Sequence, residues 1–266
     1  MLEVEFGQLS DCGRTRQTNE DYLGWVLART PAEARTRGWL FALADGVGGQ
    51  NGGEVAARTA VESVLAGFRE APAGEPHAPL LVRLVQEANA KVFEAGLTAG
   101  PGGASMATTL VACALRFDRA AVAHVGDSRC YLVRRGRAQL LTRDHTVASE
   151  QVRLGLLSAR EAAEVPTRHV LSRSIGNNLF VGVETGESQV FAGDVLVLCS
   201  DGLHGAVSAS EIAQRVSDHA DLNEAARELV ELANQRDGSD NISVQLMRVR
   251  GVERVGMYRG RPYRLR

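Results

Sequence analysis

The stretch from Trp39 to Glu54 constrains the fold of this chain more than any other. An apolar run of strand type, residues 39–44, ends on Asp45, and five glycines then occupy eight positions before a helical pattern starts near Glu54. Glycine loses more backbone entropy on folding than other residues, so such a run indicates that the backbone bends tightly or approaches another group closely. We therefore predict a buried strand that presents Asp45 to metal ions beside a loop with few side chains.

Two predicted strands, residues 39–44 and 195–199, are apolar at consecutive positions, which indicates cover on both faces. In the rest of the sequence, predicted strands follow one another through short links, and predicted helices come in pairs. This arrangement favours antiparallel sheets with helices on their outer faces and disfavours alternating βαβ units. The fold class predicted is therefore α+β. The other predicted strands are 2–9, 21–28, 108–115, 120–125, 130–135, 138–142 and 241–249, and the predicted helices are 54–68, 80–97, 144–155, 158–164, 208–216 and 222–236.

The composition is that of an ordinary globular protein and excludes several function classes. The 266 residues carry a net charge of −2, so no general basic field points to nucleic acid. Four cysteines stand without a C-x-x-C pair, which gives neither a zinc nor a disulfide framework. The start of the chain lacks the layout of a signal peptide, and no run of about 18 apolar residues is long enough to span a bilayer. We expect a reduced, cytoplasmic protein.

Four aspartates share one sequence context. Asp45, Asp127 and Asp201 each follow an apolar strand, and Asp240 comes just before one. Taken singly, an Asp-Gly pair at a strand end is most often a turn. Four such carboxylates converging at one edge of a sheet stack would instead form a site for hard divalent cations, Mg²⁺ or Mn²⁺. The six histidines do not cluster in the sequence, so we do not expect zinc.

A polar segment around Arg16 precedes the second strand. The planar guanidinium of arginine matches phosphate oxygens with two parallel hydrogen bonds, and Glu20 and Asp21 follow closely. Alone, this segment is better explained as a solvated loop with routine charge pairs. A phosphate cradle for a nucleotide in the loop 46–53 is a weak alternative, because the loop lacks the G-K-[ST] ending.

Eight motifs occur in the order, and at about the intervals, of the metal-dependent type 2C protein phosphatases (the PPM family), and the resemblance covers roughly residues 5–248. The chain looks most like the compact bacterial members that reverse Ser/Thr kinases. The motifs are Arg16-Gln-Thr-Asn-Glu-Asp21, Asp45-Gly-Val-Gly-Gly, Ala107-Thr-Thr109, Val125-Gly-Asp-Ser-Arg129, Asp144-His-Thr, Leu171-Ser-Arg-Ser-Ile-Gly176, Cys199-Ser-Asp-Gly202 and Asp240-Asn-Ile-Ser-Val244.

The resemblance implies a four-layer α-β-β-α sandwich, with two central antiparallel sheets flanked by helix pairs. It also implies two Mn²⁺ or Mg²⁺ ions, with Asp45 bridging both, the Gly46 carbonyl on one, and Asp201 and Asp240 on the other. Asp127 matches the residue that, with Asp201, holds a third, weaker metal in bacterial relatives.

The resemblance assigns supporting roles to four more residues. Arg16 would bind the phosphate, Glu20 and Asp21 would lie near the metal-bound waters, and Asn241 would stand beside the last ligand. A metal-bound hydroxide would attack phosphorus in a phosphoserine or phosphothreonine protein. The implied partners are phosphoproteins and a cognate Ser/Thr kinase. We expect a monomer whose residues 1–250 form the catalytic domain, and a basic, flexible tail over residues 251–266.

The sequence departs from the family pattern at three positions. Val47 stands where some eukaryotic relatives carry a histidine proposed as general acid, so leaving-group protonation would fall to a metal-bound water. Gln50 and Ala107 replace a usual His and Gly. We expect a structural role for His145, and we expect residues 146–170, the flap of this family, to affect substrate access. The non-enzymatic alternative is a pseudophosphatase that binds phosphoproteins without turnover.

Overall fold

The computed structural model of the protein describes residues 2–47, 52–98, 106–258 and 261–264. The strands are β1 (Glu3–Asp11), β2 (Asp21–Val26), β3 (Trp39–Val47), β4 (Ala107–Thr108), β5 (Leu110–Arg116), β6 (Arg119–Val125), β7 (Arg129–Arg134), β8 (Arg137–Leu140), β9 (Glu184–Gln189), β10 (Val195–Cys199), β11 (Ile242–Gly251), β12 (Val255–Tyr258) and β13 (Arg261–Arg264). The α-helices are α1 (Pro31–Thr36), α2 (Gly52–Glu70), α3 (His77–Thr98), α4 (Val147–Arg153), α5 (Ala159–Glu164), α6 (Asp201–His204), α7 (Ala209–Asp218) and α8 (Leu222–Arg236), and a 3₁₀ turn covers Pro166–His169.

Two antiparallel sheets form the centre of the molecule. The first has the strand order β1-β11-β10-β7-β8, and the second has the order β2-β3-β5-β6-β9 with β4 paired to the end of β3. The central strands β3 and β10 are buried along their apolar length, as their consecutive apolar residues predict. Both are flanked by strands on either side, so their main-chain groups are satisfied within the sheets.

Three apolar layers hold the sheets and helices together. One lies between the sheets and includes Phe41, Val111 and Leu196. A second joins the outer face of one sheet to α2 and α3, and a third joins the other sheet to α7 and α8. The predicted four-layer α-β-β-α sandwich is therefore confirmed.

Several elements differ from the sequence predictions. Strand β3 continues through Asp45 to Val47, because its last residues pair with β4. Strand β9 was not predicted, since its polar sequence lacks an apolar pattern and it pairs only along β6 at the sheet edge. Helix α1 replaces a predicted turn. Strands β12 and β13 pair with each other in the segment predicted to be an irregular tail. The sequence places a glutamate three residues after Ser158 and after Ser208, a spacing that predicts a capping box at the start of a helix, and both capping boxes are present.

Candidate metal centre

The backbone of Asp45 is fixed by Thr108, the last residue of β4, and by Thr109, which follows it. The Asp45 N–H donates to Oγ1 of Thr109 at 2.9 Å, and the Asp45 carbonyl accepts hydrogen bonds from Thr109 N and Thr108 Oγ1, both at 2.8 Å. The motif Ala107-Thr-Thr109 thus holds the end of β3 through side-chain as well as main-chain bonds. As a result, Asp45 lies inside a regular strand.

Glycine is required at positions 46 and 53 because two backbone segments meet there. A Cβ atom on Gly46 would lie 2.4 Å from the carbonyl carbon of Gly53, and one on Gly53 would lie 2.8 Å from Oε2 of Glu20. The start of α2 can therefore approach the end of β3 only without side chains at these positions. Gly48 and Gly49 lie outside the described residues.

Asp127 and Asp201 occupy turns at the ends of neighbouring strands. Asp127 lies between β6 and β7, directly after Gly126, whose φ of 104° favours glycine. Two histidines secure this turn: His204 Nε2 donates to the Asp127 carbonyl at 3.0 Å, and His145 accepts from the Gly126 N–H at 3.2 Å. Asp201 begins α6 immediately after β10.

A cleft of about 620 Å³ brings the predicted site residues together. Eight of the nine lie on its wall: Arg16, Glu20, Asp45, Gly46, Asp127, Asp201, Asp240 and Asn241. The four aspartates come from three separate strand ends and a loop, as their sequence context predicts. The exception is Asp21, which is buried and pairs across the sheet with Asp45.

Asp21 is a buried carboxyl group whose loss of hydration is not replaced by hydrogen bonds from the described residues. Within the described part of the chain, neither of its oxygens accepts a hydrogen bond. Burial raises the pKa of Asp21 to about 7, and the nearby Ser200 and Ser243 hydroxyls oppose the rise. A carboxyl in this condition either keeps its proton or needs a neighbouring positive charge when it ionises.

Burial and mutual charge repulsion also raise the pKa values of other carboxyl groups in the cleft. Burial, followed by the charges of Asp21, Asp201, Asp127 and Asp240, raises the pKa of Asp45 well above its usual value. Burial also raises the pKa of Asp127 to about 7, and Oδ1 of Asp201 is buried with no hydrogen-bond partner among the described residues. Several buried, mutually repelling carboxylates with orphaned oxygens fit divalent cations with oxygen ligands.

Arg16 approaches the cleft from the loop between β1 and β2. Its guanidinium binds Oδ2 of Asp240 at 2.9 Å and the carbonyl of Ser239 at 3.3 Å, and its side chain is half exposed. Arg16 therefore lies at the mouth of the cleft, and its Nε and Nη2 atoms donate the hydrogen bonds to Ser239 and Asp240. Its position is compatible with the predicted contact to a phosphate.

Asn241 connects this loop to the start of β11. Its side-chain oxygen accepts from the Glu20 N–H at 2.8 Å, and its amide donates to the carbonyls of Cys12 and Thr18 at 2.9 and 3.0 Å. All three bonds go to the segment that carries Arg16. The residue therefore orients that loop relative to Asp240, its neighbour in sequence.

The sequence did not predict five further residues of the cleft wall. They come from the end of the flap and the segment that follows it: His169, Val170, Leu171, Ser174 and Asn177. A motif from residue 171 to residue 176 was recognised, but nothing in it indicated that the side chains face the site. Sequence spacing cannot show this, because the segment reaches the cleft by folding back across β4 through a bridge from Thr108 to Ile175.

The histidines do not cluster in the sequence, but the fold brings His124 and His145 together. Their rings stack at 4.7 Å, and with Glu184 their ligand atoms lie within 4.8 Å, the spacing of a metal site. Hydrogen bonds already occupy these atoms. Because His145 Nδ1 accepts from Gly126, its Nε2–H donates to Glu184 at 3.0 Å, and Arg143 donates to the same oxygen. The three residues form a satisfied network beside the Asp127 turn.

The sandwich and its cleft of converging carboxylates define the class of the protein as one with a divalent-metal centre between the ends of two sheets. A family model described as protein phosphatase 2C matches residues 12–247. The serine/threonine phosphatase stp of Listeria innocua is 34% identical over 256 residues, which cover 95% of this chain and 96% of the relative. The chain belongs to the protein phosphatase 2C family.

Solved structures agree with this membership. The chain is similar to the serine/threonine phosphatase of S. agalactiae with a TM-score of 0.85 and 33% identity, covering 93% of this chain and 100% of that one. It is also similar to the catalytic domain of PstP in complex with two manganese ions, with a TM-score of 0.79 and 31% identity, covering 94% and 99%. Among the described residues, no helix has the length and apolar character needed to cross a membrane.

Proposed function

We propose that this protein hydrolyses phosphoserine and phosphothreonine in proteins with the help of two Mn²⁺ or Mg²⁺ ions. The observation that carries the proposal is the convergence of four mutually repelling aspartates, one buried and three partly buried, in one cleft. Asp45, the Gly46 carbonyl, Asp201 and Asp240 would hold the two ions. Asp127, with Asp201, would hold a third.

When bound, the ions would supply water activated for attack on phosphorus and would offset charge on the phosphoryl oxygens. The residues of the chain do the positioning. Arg16 would bind the phosphoryl oxygens from the mouth of the cleft, and Asn241 would hold the loop that carries it. Glu20 and Asp21 would add negative charge beside Asp45, which strengthens the attraction for divalent cations.

Further proposals concern the setting of the enzyme. Residues 1–250 would form the catalytic domain, with residues 251–266 as a basic extension; this segment was predicted to be flexible, whereas β12 and β13 within it pair with each other. We further propose a cytoplasmic monomer that opposes a Ser/Thr kinase. We also propose that it does not bind nucleic acid, and its net charge of −2 supports that proposal. The named relatives are serine/threonine phosphatases, which supports a phosphoprotein substrate.

The test is Mn²⁺-dependent hydrolysis of p-nitrophenyl phosphate and of phosphoserine peptides by the wild type and by Asp45→Asn and Asp201→Asn. Each substitution removes a charge from the cleft, so turnover should fall at least a hundredfold while far-UV circular dichroism is unchanged. Asp218→Asn, at the exposed end of α7, is the control for loss of an acidic charge. Undiminished hydrolysis by either cleft variant would refute the assignment. Phosphopeptide binding without any turnover by the wild type would indicate a pseudophosphatase.

A further inference from the structure

The loop that follows the flap is held rigidly to α3 by one buried amide. Asn89, which is fully buried, accepts a hydrogen bond from the Gly176 N–H at 2.9 Å. The same side chain donates to the carbonyls of Asn178 and Leu179 at 2.8 and 3.0 Å. A single side chain thus fixes three backbone groups of the loop, which leaves it little freedom to collapse onto the surface.

Two more contacts complete this attachment. Gln86, one turn earlier on α3, donates to the carbonyl of Val181. Gly176 has a φ of 91°, and a Cβ there would lie 2.5 Å from a methyl group of Val92. The loop from residue 176 to residue 181 therefore has a defined backbone that rests on α3.

This fixed loop exposes two large apolar side chains. Phe180 is 81% exposed and Leu179 is 50% exposed, and we call the pair the Leu179–Phe180 ridge. Isolated apolar residues are common on protein surfaces and need no explanation. The Leu179–Phe180 ridge differs from them, because hydrogen bonds to Asn89 fix the backbone of the loop that presents both side chains.

The ridge lies close along the chain to residues that line the cleft. Ser174 and Asn177 line the cleft, and Phe180 lies three residues after Asn177, so their Cα atoms are at most about 11 Å apart. Val47 and Val170, also on the cleft wall, are 42% and 49% exposed. The cleft wall therefore presents apolar as well as polar side chains, and the segment from residue 176 to residue 183 carries no charged side chain.

We propose that the Leu179–Phe180 ridge binds an apolar side chain of the phosphoprotein substrate. The proposal rests on the proposed phosphatase function and narrows its substrate class. An extended peptide advances about 3.3 Å per residue, so the distance of up to about 11 Å from the cleft wall to the ridge corresponds to three or four peptide residues. The preferred substrate is therefore a phosphoserine or phosphothreonine segment with Leu, Ile, Met or Phe at that distance on one side.

A second copy of the chain is a poor occupant for this surface. One Leu and one Phe side chain bury at most a few hundred Å², whereas stable protein interfaces bury about 1,200–2,000 Å². A short peptide segment that is already anchored by its phosphate in the cleft needs far less additional contact. The size of the ridge therefore matches an auxiliary contact for a substrate.

The experiment compares phosphoserine peptides that are identical except for the position of a single leucine, from four residues before the phosphoserine to four after it. For the wild type, a leucine three or four residues from the phosphoserine on one side should raise kcat/KM about tenfold. That ratio corresponds to less free energy than full burial of a leucine side chain provides. Phe180→Ser should abolish this preference and leave hydrolysis of p-nitrophenyl phosphate unchanged. Leu140→Ser, on β8 of the other sheet with 41% exposure, is the matched control and should retain the preference.

Three results would overturn the proposal. They are equal kcat/KM for all peptides with the wild type, an unchanged preference in Phe180→Ser, and a concentration-dependent dimer in sedimentation that Phe180→Ser abolishes. The small substrate separates this proposal from the function itself. If the wild type hydrolyses p-nitrophenyl phosphate but shows no leucine preference, only the ridge proposal fails; if it hydrolyses neither substrate, the proposed function fails.

Discussion

Replacing Asp127 with asparagine should stabilise the protein when metal is absent, even though the change removes a proposed ligand. Burial raises the pKa of Asp127 to about 7 from 3.8, and the nearby charge of Asp201 adds to the rise. A raised carboxyl pKa favours the folded state only while the group is protonated. Its contribution is complete below pH 3.8 and is lost as the pH rises through 7.

The expected size follows from the two pKa values. A shift of one pKa unit corresponds to about 1.4 kcal/mol. Because the unfolded chain ionises at a lower pH than the folded protein, the raised pKa of Asp127 lowers the free energy of unfolding by about 4 kcal/mol at pH 8 and by about 2 kcal/mol at pH 5, relative to acid pH. Asparagine has the same shape and does not titrate. The free energy of unfolding of Asp127→Asn relative to the wild type should therefore rise by roughly 2–3 kcal/mol between pH 5 and pH 8.

The assay is urea unfolding in EDTA at both pH values, followed by circular dichroism. Asp218→Asn, exposed at the end of α7, should show no such difference. Added Mn²⁺ should make the wild type more stable than Asp127→Asn. Mn²⁺ at a hundredfold excess over its Kd stabilises the wild type by about 2.7 kcal/mol, and the variant would bind the ion less tightly. The reasoning is refuted if the substitution destabilises the metal-free protein at pH 8, or if its effect is the same at both pH values.

Other predictions test the framework of the cleft. Asn241→Ala removes three hydrogen bonds to the loop that carries Arg16, so it should cost about 3 kcal/mol in urea unfolding and raise KM; a normal KM would contradict its positioning role. In His145→Asn the amide oxygen can take the place of Nδ1 and accept from the Gly126 N–H, whereas the longer side chain in His145→Gln cannot. The Asn variant should therefore retain more Mn²⁺-dependent activity, and the opposite order would contradict the hydrogen-bond network around His145. Gly46→Ala forces a Cβ against the backbone of α2 and should cost about 1–3 kcal/mol and weaken Mn²⁺ binding in calorimetry, whereas wild-type affinity would show that the contact relaxes freely.

Patterns that depend on neighbours in sequence were predicted well. The consecutive apolar residues of β3 and β10 indicated strands covered on both faces, and both strands are buried. Ser158 and Ser208 predicted helix starts because a capping box needs only a glutamate three residues later. The repeated placement of Asp45 and its partners at strand ends indicated their convergence.

Other features depended on contacts between distant segments. Strand β9 has no apolar pattern, because an edge strand can be held by main-chain bonds to one neighbour. The pairing of His124 with His145 joins β6 to the segment before the flap, and no spacing rule connects the two residues. The burial of Asp21 and its pairing with Asp45 across the sheet were likewise not indicated by any local pattern, and its predicted place near the metal-bound waters stays a prediction.

The sequence by itself determined the class of fold and the identity of the acidic residues, because hydrophobic periodicity and the residue after a strand are local properties. Only the tertiary structure decided how strongly those acids repel one another and which side chains surround them. Desolvation and charge repulsion depend on the distances between strands that are far apart in the chain. The same holds for the Leu179–Phe180 ridge, whose exposure follows from the bonds that a buried Asn89 on α3 makes to its loop.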